Sequence, residues 1–214
     1  MKINLEILNS AYIYAPNKIE ELKTKELVPK MVTRRRLTRA SKIAIFLSNE
    51  VSFTKGRVVY GNAYGELDST AKILNSISVQ EQISPTTFQN SVYNTAVSYL
   101  SMLNGNKEEI ISISSGDKTS LNILKAGAIK ALDKDTILLL ATETLDIENI
   151  DKLNNCIDYL ECAIALKVKV TTEDSTLDYM SLQNDEKFPL SMLHMLNIAR
   201  NISSEKKNII EVNI

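Results

Sequence analysis

Residues 109–132 read EIISISSGDKTSLNILKAGAIKAL. The first five after Glu109, IISIS, are β-branched and apolar enough for a strand. SSGDKTS follows as a turn, and Leu121, Leu124, Ala128 and Leu132 then recur at helical spacing. A strand, a tight turn and a helix place the turn residues at the positive end of the helix. Enzymes put nucleophiles and oxyanion holes there. Here the turn is Ser114-Ser115-Gly116-Asp117. Gly127 within the helix costs about 1 kcal/mol against alanine, which a close helix–helix or helix–sheet approach would explain.

The same alternation extends outward in both directions. Thr136–Ala141, TILLLA, is a continuous apolar run, as in a strand covered on both faces. RVVYG at 57–61 predicts a short buried strand. Residues 160–170, LECAIALKVKV, begin apolar and end in alternation, as an outer strand would. Residues 3–14 predict a strand or two, broken at Ala15-Pro16-Asn17. Thr33 is positioned to cap a helix through about Val51, with Leu37, Ala40, Ile43, Ala44 and Leu47 on one face. Further helices are expected over 65–75, over 84–103 (the longest, with Pro85 at its first position and Gly105 stopping it) and over 188–201. Strand and helix in turn, with apolar strands, give an α/β domain with helices on both faces of one sheet.

Composition narrows the function classes. The 214 residues suit a single domain with a real core, and the formal net charge of −1 offers no footprint for nucleic acid. No run approaches ~18 apolar residues, so no membrane span is expected. The start, MKINLEILNS, has no apolar core of a secretory signal. A cytoplasmic protein with reduced thiols is the expectation. Cys156 and Cys162, six apart, match no usual zinc spacing, and His194 is the one histidine. Neither a metal nor a cofactor is expected. Arg34, Arg35, Arg36 and Arg39 crowd a helix start, against the macrodipole. They read either as a solvated face or as contacts to a carboxylate or phosphate.

Several segments together resemble one family. These are Thr33-Arg34-Arg35-Arg36-Leu37-Thr38-Arg39, and Gly65-Glu66-Leu67 followed by Thr70. Ser84-Pro85-Thr86-Thr87-Phe88 through Ser91-Val92-Tyr93-Asn94-Thr95-Ala96 is the most specific block. Ile111–Leu124, Thr136–Thr144 and Cys162–Val170 follow. Over about residues 33–170 the chain resembles the N-terminal half of a β-ketoacyl synthase. It is similar in particular to the short chain-length-factor-like proteins of aryl polyene and flexirubin type pathways. The resemblance implies a thiolase-like half-domain, with residues 1–214 as one unit. Tyr93 stands where the family often has a histidine, and Thr95 and Ser98 replace an alanine and a glycine.

Ketosynthases hold the acyl chain on an elbow cysteine and use two further groups, His/His or His/Asn, from the second half of the fold. A thiolate suits the task because a helix terminus lowers its pKa. By the resemblance, the nucleophile position falls within Ser115, Gly116 and Asp117, where no cysteine stands. Removing any member of such a constellation removes most of the rate. A serine nucleophile is the competing reading, although S-I-S-S-G-D is not G-x-S-x-G. Asp117 reads as a helix cap. His194 lies in the apolar face PLSMLHMLNIA and reads as structural.

The expected role is a non-catalytic subunit forming a heterodimer with a β-ketoacyl synthase. Acyl carrier protein would reach it through the complex. By resemblance, Thr86, Thr87, Phe88, Ser91 and Asn94 are the interface and acyl-tunnel candidates, with Phe88 equally readable as core. A serine-based acyl hydrolase or acyltransferase is one alternative; a scaffold without influence on product length is another.

Overall fold

A computed structural model describes residues 1–145, 161–182, 188–203 and 206–214. Six strands form one sheet in the order β3-β2-β4-β5-β1-β6. They are β1 (Lys2–Ala15), β2 (Val58–Gly61), β3 (Ile110–Ile113), β4 (Ile137–Thr144), β5 (Glu161–Thr171) and β6 (Asn208–Asn213). β2 lies parallel to β3 and β4, whereas β5 runs antiparallel to β4 and β1, and β1 antiparallel to β6.

The helices are α1 (Thr24–Leu27), α2 (Met31–Arg34), α3 (Arg39–Glu50), α4 (Leu67–Ser78), α5 (Pro85–Asn90), α6 (Thr95–Asn104), α7 (Thr119–Ala131) and α8 (Leu193–Arg200). All eight residues of β4 are buried, as its unbroken apolar run requires. Its side chains alternate between two cores. Ile137, Leu139 and Ala141 join Ile123 and Leu124 of α7 and Met195 and Leu196 of α8. Leu138 and Leu140 join Ile43 and Leu47 of α3 and Val97 and Leu100 of α6. The period of two along the strand thus makes a three-layer α/β/α unit.

Several expectations need correction. The 3–14 segment holds as one strand ending at Ala15, with a bulge between Ile7 and Asn9 that the sequence did not announce. The arginine-rich helix begins at Arg39, not after Thr33. Thr38 is its cap, and its side-chain oxygen accepts from Ser41 N at 3.1 Å. β5 is an interior strand, because β1 and β6 cover the side read as outer. The expected 84–103 helix is two helices with a turn at 91–94. Asn62 Nδ2 donates to the Tyr93 carbonyl at 3.0 Å and so removes it from helical pairing. The 13-residue α7 is longer than either piece. The helix of 188–201 reaches only Leu193–Arg200, and β6 follows unanticipated.

Candidate functional site

β3 delivers its chain end to the turn that opens α7. Gly116 sits at φ 54°, a left-handed conformation that suits glycine, and residues 116–118 form one 3-10 turn. Thr119 closes the bend: its hydroxyl accepts from Ser115 N at 3.1 Å and donates to Gly116 O at 2.7 Å. Asp117 therefore does not cap the helix; among the described residues its exposed side chain makes no hydrogen bond, and Thr119 does the local work. Ser114 is exposed, and its hydroxyl donates to the Ala63 carbonyl at 3.4 Å. Among the described residues no imidazole or carboxylate hydrogen-bonds to Ser114 or Ser115.

The thiol and the imidazole lie elsewhere. Cys162 is fully buried in β5, where burial first and the Glu143 charge second push its thiol well up. A thiol so placed stays protonated and enclosed. Cys156 lies outside the described residues. His194 is partly buried on α8 and packs edge-to-face on Tyr179, with ring centres 6.0 Å apart. Burial lowers its pKa, which keeps the ring neutral. No group of three or more histidine, cysteine or carboxylate side chains gathers as a metal set among the described residues.

A polar network, invisible in the sequence, fixes the loop after β2. The Tyr60 hydroxyl pairs with the Thr142 hydroxyl at 2.7 Å and accepts from Asn62 Nδ2 at 3.0 Å. Asn62 Oδ1 accepts from Gly65 N at 3.0 Å. Glu66, 5% exposed, accepts from the Thr38 hydroxyl at 2.9 Å. Burial pushes its carboxyl up to about 7; the Thr38 bond opposes this and the Asp68 charge adds to it. Only the pairing of a buried acid with a distant threonine would have marked Glu66, and that needs the fold.

The five interface candidates lie together on α5 and the turn beyond it, but they do not share one environment. Phe88 is 64% exposed, which removes its core reading. Thr86 is exposed and Thr87 half-buried on the side toward Arg36 and Glu66. Ser91 donates to the Phe88 carbonyl at 2.8 Å. Asn94 is exposed and heads α6 without a side-chain cap bond. α4 buries only Ser69 and α5 buries no residue. These two packed helices and their flanks expose Leu74, Ile77, Val79, Ile83, Phe88 and Tyr93. Exposed apolar residues gathered on an outer layer are unusual for a lone soluble chain.

Residues 10–210 match the β-ketoacyl synthase N-terminal domain family. No curated protein sequence matches the chain. Among solved structures, the chain resembles one in the complex of the ketosynthase ApeO with its chain length factor ApeC from Xenorhabdus doucetiae. The TM-score is 0.66 at 21% identity, over 91% of this chain and 92% of that one. It also resembles the ishigamide ketosynthase/chain length factor, with a TM-score of 0.56 at 12% identity, over 71% of this chain and 48% of that one. A β-ketoacyl synthase from Burkholderia phymatum gives 0.55 at 14% identity, over 79% and 59%. The chain therefore spans nearly all of the first relative and about half to three fifths of the other two. At these identities the likeness is one of fold.

Proposed function

The chain belongs to the β-ketoacyl synthase family through its N-terminal domain, and on that premise we propose that it is a non-catalytic, chain-length-factor-like subunit. It pairs with an active β-ketoacyl synthase and shapes the end of that enzyme's acyl tunnel in polyene or fatty-acid-like biosynthesis. The elbow carries this reading: by resemblance, Ser115, Gly116 and Asp117 stand where the family holds its acyl chain on a thiolate, and none of them is a cysteine. Cys162, in the interior of β5, is no substitute.

Three further observations support the pairing. The exposed apolar residues of α4 and α5 need a cover. The first relative comes from a ketosynthase–chain length factor complex, and its matched chain is about as long as this one. Phe88 projects from α5, where a side chain of its size can set how deep a neighbouring tunnel runs. The mechanism is steric: bulk at the interface stops the growing chain. Acyl carrier protein delivers its cargo to the complex, docking mainly on the ketosynthase.

Co-expression with a ketosynthase of the same pathway, followed by size-exclusion chromatography and mass identification, tests the pairing. A stable heterodimer is expected. A monomer indifferent to the ketosynthase, or acylation of the purified chain at residues 114–117 by an acyl donor, would reject the reading. The latter outcome is the one a serine acyltransferase requires.

A further inference from the structure

A cavity of about 360 Å3 lies beside the α4–α5 layer, away from the elbow. It opens where the parallel strands β2 and β4 end: Glu66 follows β2, Thr144 closes β4, and both line it. In open α/β sheets the crevice at the carboxyl ends of parallel strands, where successive connections leave in opposite directions, is where ligands bind. β2 is followed by β3 on one side and β4 by β5 on the other, so that crevice falls between β2 and β4.

The charges around it do not balance internally. Arg34 is satisfied by the carbonyls of Val28 and Pro29. Arg39 is engaged by Glu161, and Lys72 by Asp68 at 2.7 Å. Arg35 and Arg36 line the cavity, yet among the described residues neither guanidinium has a hydrogen bond or ion pair. The start of α3 adds positive potential, since Leu37, Thr38 and Arg39 also line the cavity and no acid stands in that first turn. Hydroxyls from Ser69, Thr86 and Thr87 complete the wall. Among the described lining residues Leu37 is the one large apolar side chain, so the tail of a fatty acid finds little purchase there.

We infer that this cavity binds a phosphate group. Several hydroxyl donors and two forked guanidiniums suit an anion with three or four acceptor oxygens better than a carboxylate with two. Glu66 does not cancel the attraction, because burial leaves much of its carboxyl protonated near neutral pH. The phosphate has two possible sources: free inorganic phosphate, or a phosphate ester on a larger ligand. The site stands on this chain's own residues, so its failure and the failure of the heterodimer are separate results.

Isothermal titration calorimetry of the full chain tests it, at fixed ionic strength in chloride. The probes are inorganic phosphate, pantetheine 4′-phosphate and unphosphorylated pantetheine. Saturable one-site binding of at least one phosphate-bearing probe is expected, with pantetheine silent. Tighter binding of the ester than of inorganic phosphate identifies an ester as the ligand; equal or weaker binding identifies the free ion. Arg35→Gln/Arg36→Gln should weaken binding roughly tenfold or more. Lys107→Gln, an exposed lysine outside the cavity, should leave it unchanged. Circular dichroism melts check the fold, and Arg36→Gln alone gives the same direction if the double variant is unstable. No saturable heat with either phosphate probe overturns the proposal. So does pantetheine binding as well as its phosphate, or equal binding by the double variant and the wild type.

Discussion

Arg39 grips Glu161 at two points, from the first turn of α3 to the first residue of β5. Nη2 donates to Oε2 at 2.7 Å, and Nε bonds the other oxygen. Glu161 is fully buried, and Ile19 N also donates to its Oε2, at 2.9 Å. One carboxylate thereby ties the β1–α1 segment, α3 and the sheet together. Removing one partner strands a charge in the interior. Arg39→Met should lower unfolding free energy by about 3–5 kcal/mol in a urea titration, and Arg39→Met/Glu161→Leu by clearly less. Equal losses in the two would show that the pair does not act as a unit.

Glu66 makes stability fall as pH rises. Its folded carboxyl titrates at about 7, above its ordinary 4.5. Below about 4.5 both states hold the proton. Between 4.5 and 7 the folded state alone keeps it, so each step up in pH favours unfolding. The whole effect is at most about 3 kcal/mol, complete above pH 7. Glu66→Gln still accepts from Thr38. Its denaturation midpoints should exceed wild type above pH 7, with the gap closing toward pH 4.5. A constant gap across that range would refute the assignment.

A side chain at position 127 meets Leu139. A Cβ there would lie 2.3 Å from Leu139 Cδ2, and Leu139 is fully buried between α7 and the sheet. Gly127→Ala gains helix propensity of up to about 1 kcal/mol, but overpacking costs about 1–3. A net loss of about 1 kcal/mol or more is expected by chemical denaturation. Gly127→Ala/Leu139→Val should cost less than the sum of the singles.

Phe88, exposed in the isolated chain, should matter only in the complex. Phe88→Ala should shift unfolding free energy by no more than about 0.5 kcal/mol. If it anchors the interface, binding to the ketosynthase should weaken by about tenfold or more. If it walls the tunnel, Phe88→Ala should lengthen products and Phe88→Trp shorten them, read by mass spectrometry. An intact complex with an unchanged product distribution in both variants would favour a scaffold.

Local pattern revealed what local forces decide. TILLLA announced β4 because a strand covered on both faces needs no polar residues. Gly127 hinted at a close approach, and Leu139 supplies it. Distant contacts hid the rest. Thr33 and Thr38 both precede the apolar stripe of α3. The helix starts after the second, where Arg39 reaches a carboxylate 122 residues away. The break between α5 and α6 is set by Asn62, 31 residues before Tyr93. The KVKV tail of β5 suggested an outer strand, yet it pairs with β1, and β6 lies beyond. The turn at 114–117 was plain in the sequence, but not the bond by which Thr119 closes it.

β3 ends the sheet, and among the described residues only β2 hydrogen-bonds to it. Among the described residues its outer flank has no strand partner, and Ile110, Ile111 and Ile113 are half-exposed. Such a rim is a template for any extended strand, including one from an identical copy. Made in excess of whatever covers it, the protein would stack on itself and clump. In the proposed heterodimer, an excess of this chain over its partner would therefore be the aggregating species.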